Sequence, residues 1–367
     1  MKKLLLIVLL YSASNAGYSQ PWQNALRISY SSDGIFFGAS SVFQDSSGVP
    51  SAIKWKGDTI ACVFQWFRAP VNSSTWDRVA VKFSYDNGIN WNEAVPIVMT
   101  GFPSSYQRPF DPTLTVLQDG SLRLYFSSSD GIPMGNDSII DTHSAVSSDG
   151  INYMFEPDAR VNESGNRVID PAVILFHNLW HYLSPEGAPQ QGAYHYISSD
   201  GLLFSKVQDI VSDSIHNWTG NYLVTDTNEL RFYGAGGGSI WFNSSPNGGL
   251  WTGYTSTNIF GGDPTVVKTS STSYLMIYVG QPNPVGINTL TRDKSYVNIF
   301  PNPAQDYIKI NTLKDNFRIR IYSLTGQLIN ETVNQKYISL RNFPRGIYMM
   351  HILYSDSEKI IRPLILD

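Results

Sequence analysis

The sequence predicts an all-β protein in two parts, a ring of repeated four-strand units followed by a small two-sheet sandwich. Three observations predict it. A short turn motif recurs five times between residues 31 and 251. A second motif, usually a pair ending in proline that opens an apolar run, alternates with the first. Past residue 290 the character of the chain changes. Residues 290–367 hold 11 Lys+Arg against 7 Asp+Glu, a net of +4, whereas residues 21–289 hold 13 against 23, a net of −10.

Only 15% of the 367 residues are charged, against about 25% in ordinary soluble domains. With 29 Gly, 20 Pro and 21 Tyr, the chain favours turns and strands over long surface helices. A formal net charge of −4 excludes a disordered polyelectrolyte and argues against a nucleic-acid-binding protein. The acidic part would repel a polyanion such as DNA or a heparin-like glycan, but not a neutral sugar.

Residues 1–19 have the form of a secretory signal peptide. Lys2 and Lys3 precede the unbroken run Leu4–Leu10, and small residues follow at Ser14-Asn15-Ala16 and Gly17-Tyr18-Ser19. The apolar run is shorter than the ~20 residues a membrane helix needs. No later stretch is long and apolar enough, so no transmembrane segment is expected in the mature form. The single cysteine, Cys62, lies in the apolar run Ile60–Phe64 and is expected to be a buried small hydrophobe without a disulfide.

The repeats set the fold of residues 20–288. The turn motif is Ser31-Ser32-Asp33-Gly34, Ser84-Tyr85-Asp86-Asn87-Gly88, Ser147-Ser148-Asp149-Gly150, Ser198-Ser199-Asp200-Gly201 and Ser244-Ser245-Pro246-Asn247-Gly248. The second motif is Val49-Pro50, Asp111-Pro112, Asp170-Pro171, Gly220-Asn221 and Asp263-Pro264, each opening a β-type run with a second run behind it. Four short strands per unit of about 50 residues is the pattern of a propeller blade. The expectation is therefore a five-bladed β-propeller. The first turn precedes the first Val-Pro pair, so the N-terminal strand should complete the last blade. The form Ser84-x-Asp86-x-Gly88-x-x-Trp91 resembles the Asp box of sialidases and related propellers. There the Asp accepts hydrogen bonds from its own turn, which is a folding role.

In a propeller a ligand site lies on the axis, where the innermost strands start. Asp111, Asp170 and Asp263 would then aim carboxylates at the axial mouth. This resembles five-bladed glycoside hydrolases of the arabinanase, xylosidase and invertase type, in which carboxylates from successive blades surround one sugar. The resemblance implies Asp111 as base, Asp170 as its orienting partner, and Glu186, in the loop Ser184–Pro189, as general acid. Arg108 and Asp263 would bind substrate, and Trp66 and Trp180 would stack on sugar faces. The pattern is incomplete, because Val49 and Gly220 stand where two further acids would be. His177, His181 and His195 lack the spacing of a metal site, and no cofactor is expected. Gly234–Gly238 lacks the Lys-Ser/Thr of a phosphate loop and is expected to be a blade turn.

Residues 289–367 alternate apolar and polar positions in short runs, as half-buried strands do, and should form an Ig-like β-sandwich. Pro301-Asn302-Pro303-Ala304, then Ile321–Gln327 with Gly326, then Pro344-Arg345-Gly346-Ile347-Tyr348 resemble the type A sorting domain of the bacterial type IX secretion system. That resemblance implies recognition by an outer-membrane export machine and a final location outside the cell or on its surface. Function is then expected in the acidic part. The readings are a carbohydrate-binding or carbohydrate-hydrolysing propeller, a non-catalytic propeller for adhesion or protein binding, or an exo-sialidase-like hydrolase.

Overall fold

A computed structural model of the chain describes residues 24–130, 139–280, 298–312, 316–323, 326–354 and 359–367. The signal-peptide segment 1–19 lies outside the described residues. The chain divides into two compact units, Met1–Gly286 and Ile287–Asp367. Among the described residues there is no α-helix.

The first two strands, β1 (Leu26–Ser31) and β2 (Ser41–Gln44), belong to the last sheet of their unit. The first sheet runs β3 (Ser47–Lys54), β4 (Ile60–Trp66), β5 (Arg78–Ser84) and β6 (Val95–Pro96). In the second, β7 (Val98–Thr100) joins the outer edge of β8 (Phe110–Val116), β9 (Leu122–Ser128), β10 (Asp141–Ser147) and β11 (Asn152–Val161). The third is β12 (Ala172–Phe176), β13 (Leu179–Pro185), β14 (Ala193–Ser198) and β15 (Ser205–Lys206). The fourth is β16 (Asn217–Asp226), β17 (Glu229–Ala235), β18 (Trp241–Ser245) and β19 (Tyr254–Ser256). The fifth pairs β20 (Gly262–Ser270) and β21 (Ser273–Val279) with β1, and β1 with β2. Two N-terminal strands, not one, thus close the ring.

The core lies between the sheets. Phe83 and Val81 of the first sheet meet Leu122 and Leu124 of the second. Tyr125 meets Tyr182 and Trp180 of the third. Phe176 and Leu183 meet Trp218 and Phe232 of the fourth. Tyr233 and Phe242 meet Met276 and Tyr278 of the fifth, and Leu275 and Ile277 return to Ile60 and Phe64 of the first. Five apolar seams in a closed cycle make a propeller, and each seam buries large side chains at about 1.5–3 kcal/mol apiece. Cys62 is fully buried in the last of these seams, and burial pushes its thiol up, away from reactivity.

The recurring turns explain how the seams are registered. In each turn except the fourth sheet's, Ser Oγ contacts Asp Oδ1 at 2.8–2.9 Å, and that carboxylate caps backbone N–H groups two to four residues on. Asn247 does the same in the fourth sheet, its Oδ1 accepting from Gly249 and Leu250. The glycine of each turn also rests on the preceding sheet. A Cβ at Gly88 would meet Leu275 at 2.3 Å, and one at Gly248 would meet the His181 ring at 2.3 Å.

The second unit has two sheets. One is β22 (Asn298–Phe300), β23 (Tyr307–Asn311) and, beyond β24 (Phe317–Ser323) and β25 (Leu328–Val333), β26 (Tyr337–Ser339). The other is β25-β24-β27-β28, with β27 (Gly346–Tyr354) and β28 (Lys359–Leu366). Ile308, Ile319, Ile321, Met350 and Ile352 form its core. The Pro301-Asn302-Pro303 segment docks on β28. Asn302 Nδ2 donates to the Pro363 carbonyl at 2.9 Å, and its Oδ1 accepts from the Ile365 N–H at 2.8 Å. Gly326 donates to the Ser323 carbonyl in a tight turn, while Tyr348 is buried and donates from its hydroxyl to the Pro344 carbonyl at 2.6 Å. Gly346 opens β27.

Candidate functional site at the axial mouth

Four of the five inner strands start with a shared distortion. Val49, Asp111, Asp170 and Asp263 have φ of 47°, 48°, 51° and 45°. A left-handed residue just before proline breaks the ladder, and the register slips at Gly48/Ser51, Phe110/Thr113 and Gly262/Thr265. Non-glycine residues held this way carry strain that the surrounding fold must support. The distortion gathers strand starts around the axis: Val49, Asp170, Gly220 and Asp263 line one cavity of about 10 Å³, room for about one water.

Each start grips a neighbour. The Asp170 N–H donates to Asp111 Oδ2 at 3.3 Å. The Asp111 N–H donates to Gln65 Oε1 at 3.1 Å. The Asp263 carboxylate accepts from the Val49 N–H. Asp111 is 9% exposed, while Asp170 and Asp263 are half-buried. All three carboxyls lie well above the usual carboxylate range. Burial is the largest cause for each; the Asp263 charge adds to it at Asp111, and the Asp111 and Asp263 charges add to it at Asp170. The set therefore titrates as a group and retains protons toward neutral pH, so that it can both donate and accept hydrogen bonds.

Beneath the carboxyls a polar plug crosses the axis. Thr113 Oγ1 donates to Asn221 Oδ1 at 2.9 Å, Asn221 Nδ2 donates to the Pro50 carbonyl at 3.1 Å, and the Ser51 and Thr113 hydroxyls are 3.1 Å apart. On its other side a channel of about 360 Å³ is lined mainly by aliphatic residues, among them Ile53, Leu114, Ile174, Leu223 and Val267. Asn221 was not singled out from the sequence, although a signal exists. It occupies the place that proline holds in the other four units.

The structure brings Asp111, Asp170 and Asp263 together and sets Glu186 elsewhere. Glu186 follows β13, its N–H bonded to the Gly192 carbonyl at 3.0 Å. Burial raises its pKa, and the charges that act on it are those of Asp209, Lys206 and Glu163. Lys206 ties that cluster together, 2.6 Å from Glu163 and 3.5 Å from Asp209. Arg108 donates from Nε and Nη2 to Asp77 Oδ2 at 2.9 and 2.5 Å. Asp77 Oδ1 accepts from Gln65 Nε2 at 2.8 Å. Arg108, Asp77 and Gln65 thus form a relay that ends on the Asp111 backbone. Trp66 is half-buried, with the Arg68 guanidinium 4.6 Å from its ring centre. Trp180 is 5% exposed and packs in the seam between the second and third sheets.

The histidines sit apart from this chemistry. His181 and His195 stack with ring centres 5.9 Å apart, and burial pushes both down to about 4. Among the described residues no group of three or more His, Cys, Asp or Glu could hold a metal ion. The Gly234–Gly238 stretch ends β17, where the Ala235 carbonyl accepts from Trp241 Nε1 at 2.8 Å.

The first unit is an all-β propeller with an axial acidic cluster, and the second is a sandwich. Residues 298–367 match the family described as the secretion system C-terminal sorting domain. The chain thus carries a type IX sorting domain and is exported to the cell surface or extracellular space. No curated protein matches the sequence. Among solved structures the chain is similar to a family 32 β-fructofuranosidase from Bombyx mori, with 11% identity, a TM-score of 0.49, and coverage of 94% of this chain and 89% of that one. It is also similar to a family 117 glycoside hydrolase from Zobellia galactanivorans, with 12% identity, a TM-score of 0.48, and coverage of 71% and 91%. A Hadza microbial sialidase matches with 12% identity and a TM-score of 0.45 over 67% of this chain. The chain spans 57% of that sialidase's length. No helix among the described residues is long and apolar enough to cross a membrane.

Proposed function

We propose that the exported propeller binds carbohydrate at its axial mouth, through Asp111, Asp170 and Asp263. The observation that carries this reading is the clustering of three carboxyls where three inner strands start: Asp170 and Asp263 line one small axial cavity, and Asp111 accepts from the Asp170 N–H beside it. Carboxyls that keep protons near neutral pH offer donors and acceptors together, which suits the hydroxyls of a sugar. Positions held by strained, mutually bonded backbone are preorganised, so little ordering is needed on binding.

Hydrolysis is the second reading. It is supported by the raised pKa values of the cluster, as expected of a group that delivers a proton near neutral pH. Binding is favoured, because the Asp111 carboxyl lies directly against Asp170, accepting from its N–H at 3.3 Å. Acid and base carboxyls of a glycosidase stand about 5–9.5 Å apart with the sugar bond between them. Glu186, the sequence's candidate acid, sits in the Asp209–Glu163 cluster.

The test is a glycan array and a polysaccharide-release assay on the full chain. Binding that falls at least about tenfold in both Asp111→Asn and Asp170→Asn, without sugar release, is the expected result. Release abolished by the same substitutions would establish hydrolysis. Binding unchanged in both variants would remove the axial mouth as the site.

A further inference from the structure

Beside the axial carboxyls, a second hollow of about 450 Å³ opens between the first and second sheets. Arg78, Arg108, Tyr106, Phe102, Met99 and Ile97 are among its walls. It lies at the axial-mouth end of the blades. Trp66 pairs across to both Ser47, where β3 starts, and Arg78, where β5 starts. Pro109 of the same hollow lies two residues before Asp111. The Arg108–Asp77–Gln65 relay joins the hollow to the Asp111 backbone.

Its charge runs against the rest of the propeller. Residues 21–289 carry a net of −10, yet two guanidiniums line this hollow. Asp77 is paired with Arg108 at 2.5 Å. Arg78 donates from Nη1 to the main-chain carbonyls of Trp76 and Asp77, at 2.9 and 3.2 Å. Burial and the nearby Arg108 charge both weigh against the Arg78 cation, and the Asp77 charge offsets them only in part, so a further anion would favour it. A guanidinium is a planar fork that fits a carboxylate in a bidentate way. The Tyr106 and Phe102 rings, edge-to-face at 5.7 Å, give the hollow an aromatic wall of the kind that packs against the C–H face of a sugar.

Building on the carbohydrate reading, we infer that this hollow is a subsite for a carboxylate-bearing sugar, a uronic acid unit, with Arg78 as its principal anchor. The unit would adjoin the sugar held by the axial carboxyls. A glycan with isolated uronates between neutral units fits both features, whereas a continuous polyanion would meet the acidic surface beyond the hollow.

The test uses the full chain on an array that carries neutral, uronate-bearing and sulfated oligosaccharides of matched backbones. A second copy of the array has its carboxyl groups reduced to alcohols. The expected result is strongest binding to uronate-bearing glycans, with a loss of at least about tenfold on carboxyl reduction and a similar loss in Arg78→Gln. Arg78→Lys should restore part of it, and near-ultraviolet circular dichroism should match wild type for both variants. Strongest binding to neutral glycans, unchanged in Arg78→Gln, would overturn the uronate subsite while leaving the carbohydrate reading intact. Strongest binding to sulfated glycans would overturn the carboxylate assignment. Binding to no glycan would overturn both.

Discussion

Two sets of aspartates repeat around the same ring and end with opposite chemistry. The rim set sits in the turns of the outer strands. Asp86, Asp149 and Asp200 lie below the usual carboxylate range, chiefly through hydrogen bonds from Asn90, Asn152 and Leu203. The axial set, Asp111, Asp170 and Asp263, lies above that range because burial opposes ionisation, with neighbouring charge adding to it at Asp111 and Asp170. The rim turns are near-copies of one another, and one of them substitutes Asn247 without losing the pattern. The axial starts are unequal: Val49 and Gly220 interrupt the ring of acids. Repetition marks what every blade needs to fold, whereas divergence at equivalent positions marks where the ring can do something specific.

The largest effect should come from the rim. Gly88→Ala forces a Cβ toward Leu275 at a residue with φ of 90°. A loss of about 2–4 kcal/mol in urea unfolding is expected, and a loss below about 1 kcal/mol would mean the turn does not register the seam. The next tests the axial set. A carboxyl whose folded-state pKa is raised contributes fully at low pH and loses that contribution as pH rises through the raised value. Asp111→Asn should therefore stabilise the protein at pH 8, by about 1–3 kcal/mol, with the gain shrinking toward pH 4. A gain that grows in acid would reverse the assigned shift.

The rim should show the opposite sign. Asp149→Ala should cost about 1 kcal/mol at pH 7 as its capping bonds are lost. Its folded-state pKa is depressed, so the carboxylate's contribution is present above the usual carboxylate range and lost as pH falls below it. The two proteins should then converge in acid unfolding curves. The smallest effect is the control. Gly57 also has a positive φ, 55°, but nothing lies within 4 Å of a Cβ there. Gly57→Ala should cost about 1 kcal/mol from backbone strain alone.

Much of the fold was legible because its determinants are local. Ser-x-Asp-Gly turns carry their own hydrogen bonds, and Asp-Pro starts distort their own strand. The closing of the ring could be foreseen from motif order, though the part played by β2 could not. The site was legible only in part. Repetition pointed to Asp111, Asp170 and Asp263. Gln65, Asp77 and Asn221 act through partners up to 171 residues away, as in the Asn221 bond to Pro50, and no spacing in the sequence announces such contacts. Glu186 is one residue beyond β13, yet the loop turns it toward the Lys206 cluster.

The central claim is that the axial mouth, and not the rim or the opposite channel, holds the carbohydrate. Hydrogen–deuterium exchange of the full chain, with and without its best-binding glycan, tests this most directly. Protection should appear in the segments around 49–52, 110–113, 170–173 and 263–266, with the turns at 31–34, 147–150 and 198–201 unchanged. Protection confined to those turns, or to the aliphatic channel around Ile53, Leu223 and Val267, would contradict the account.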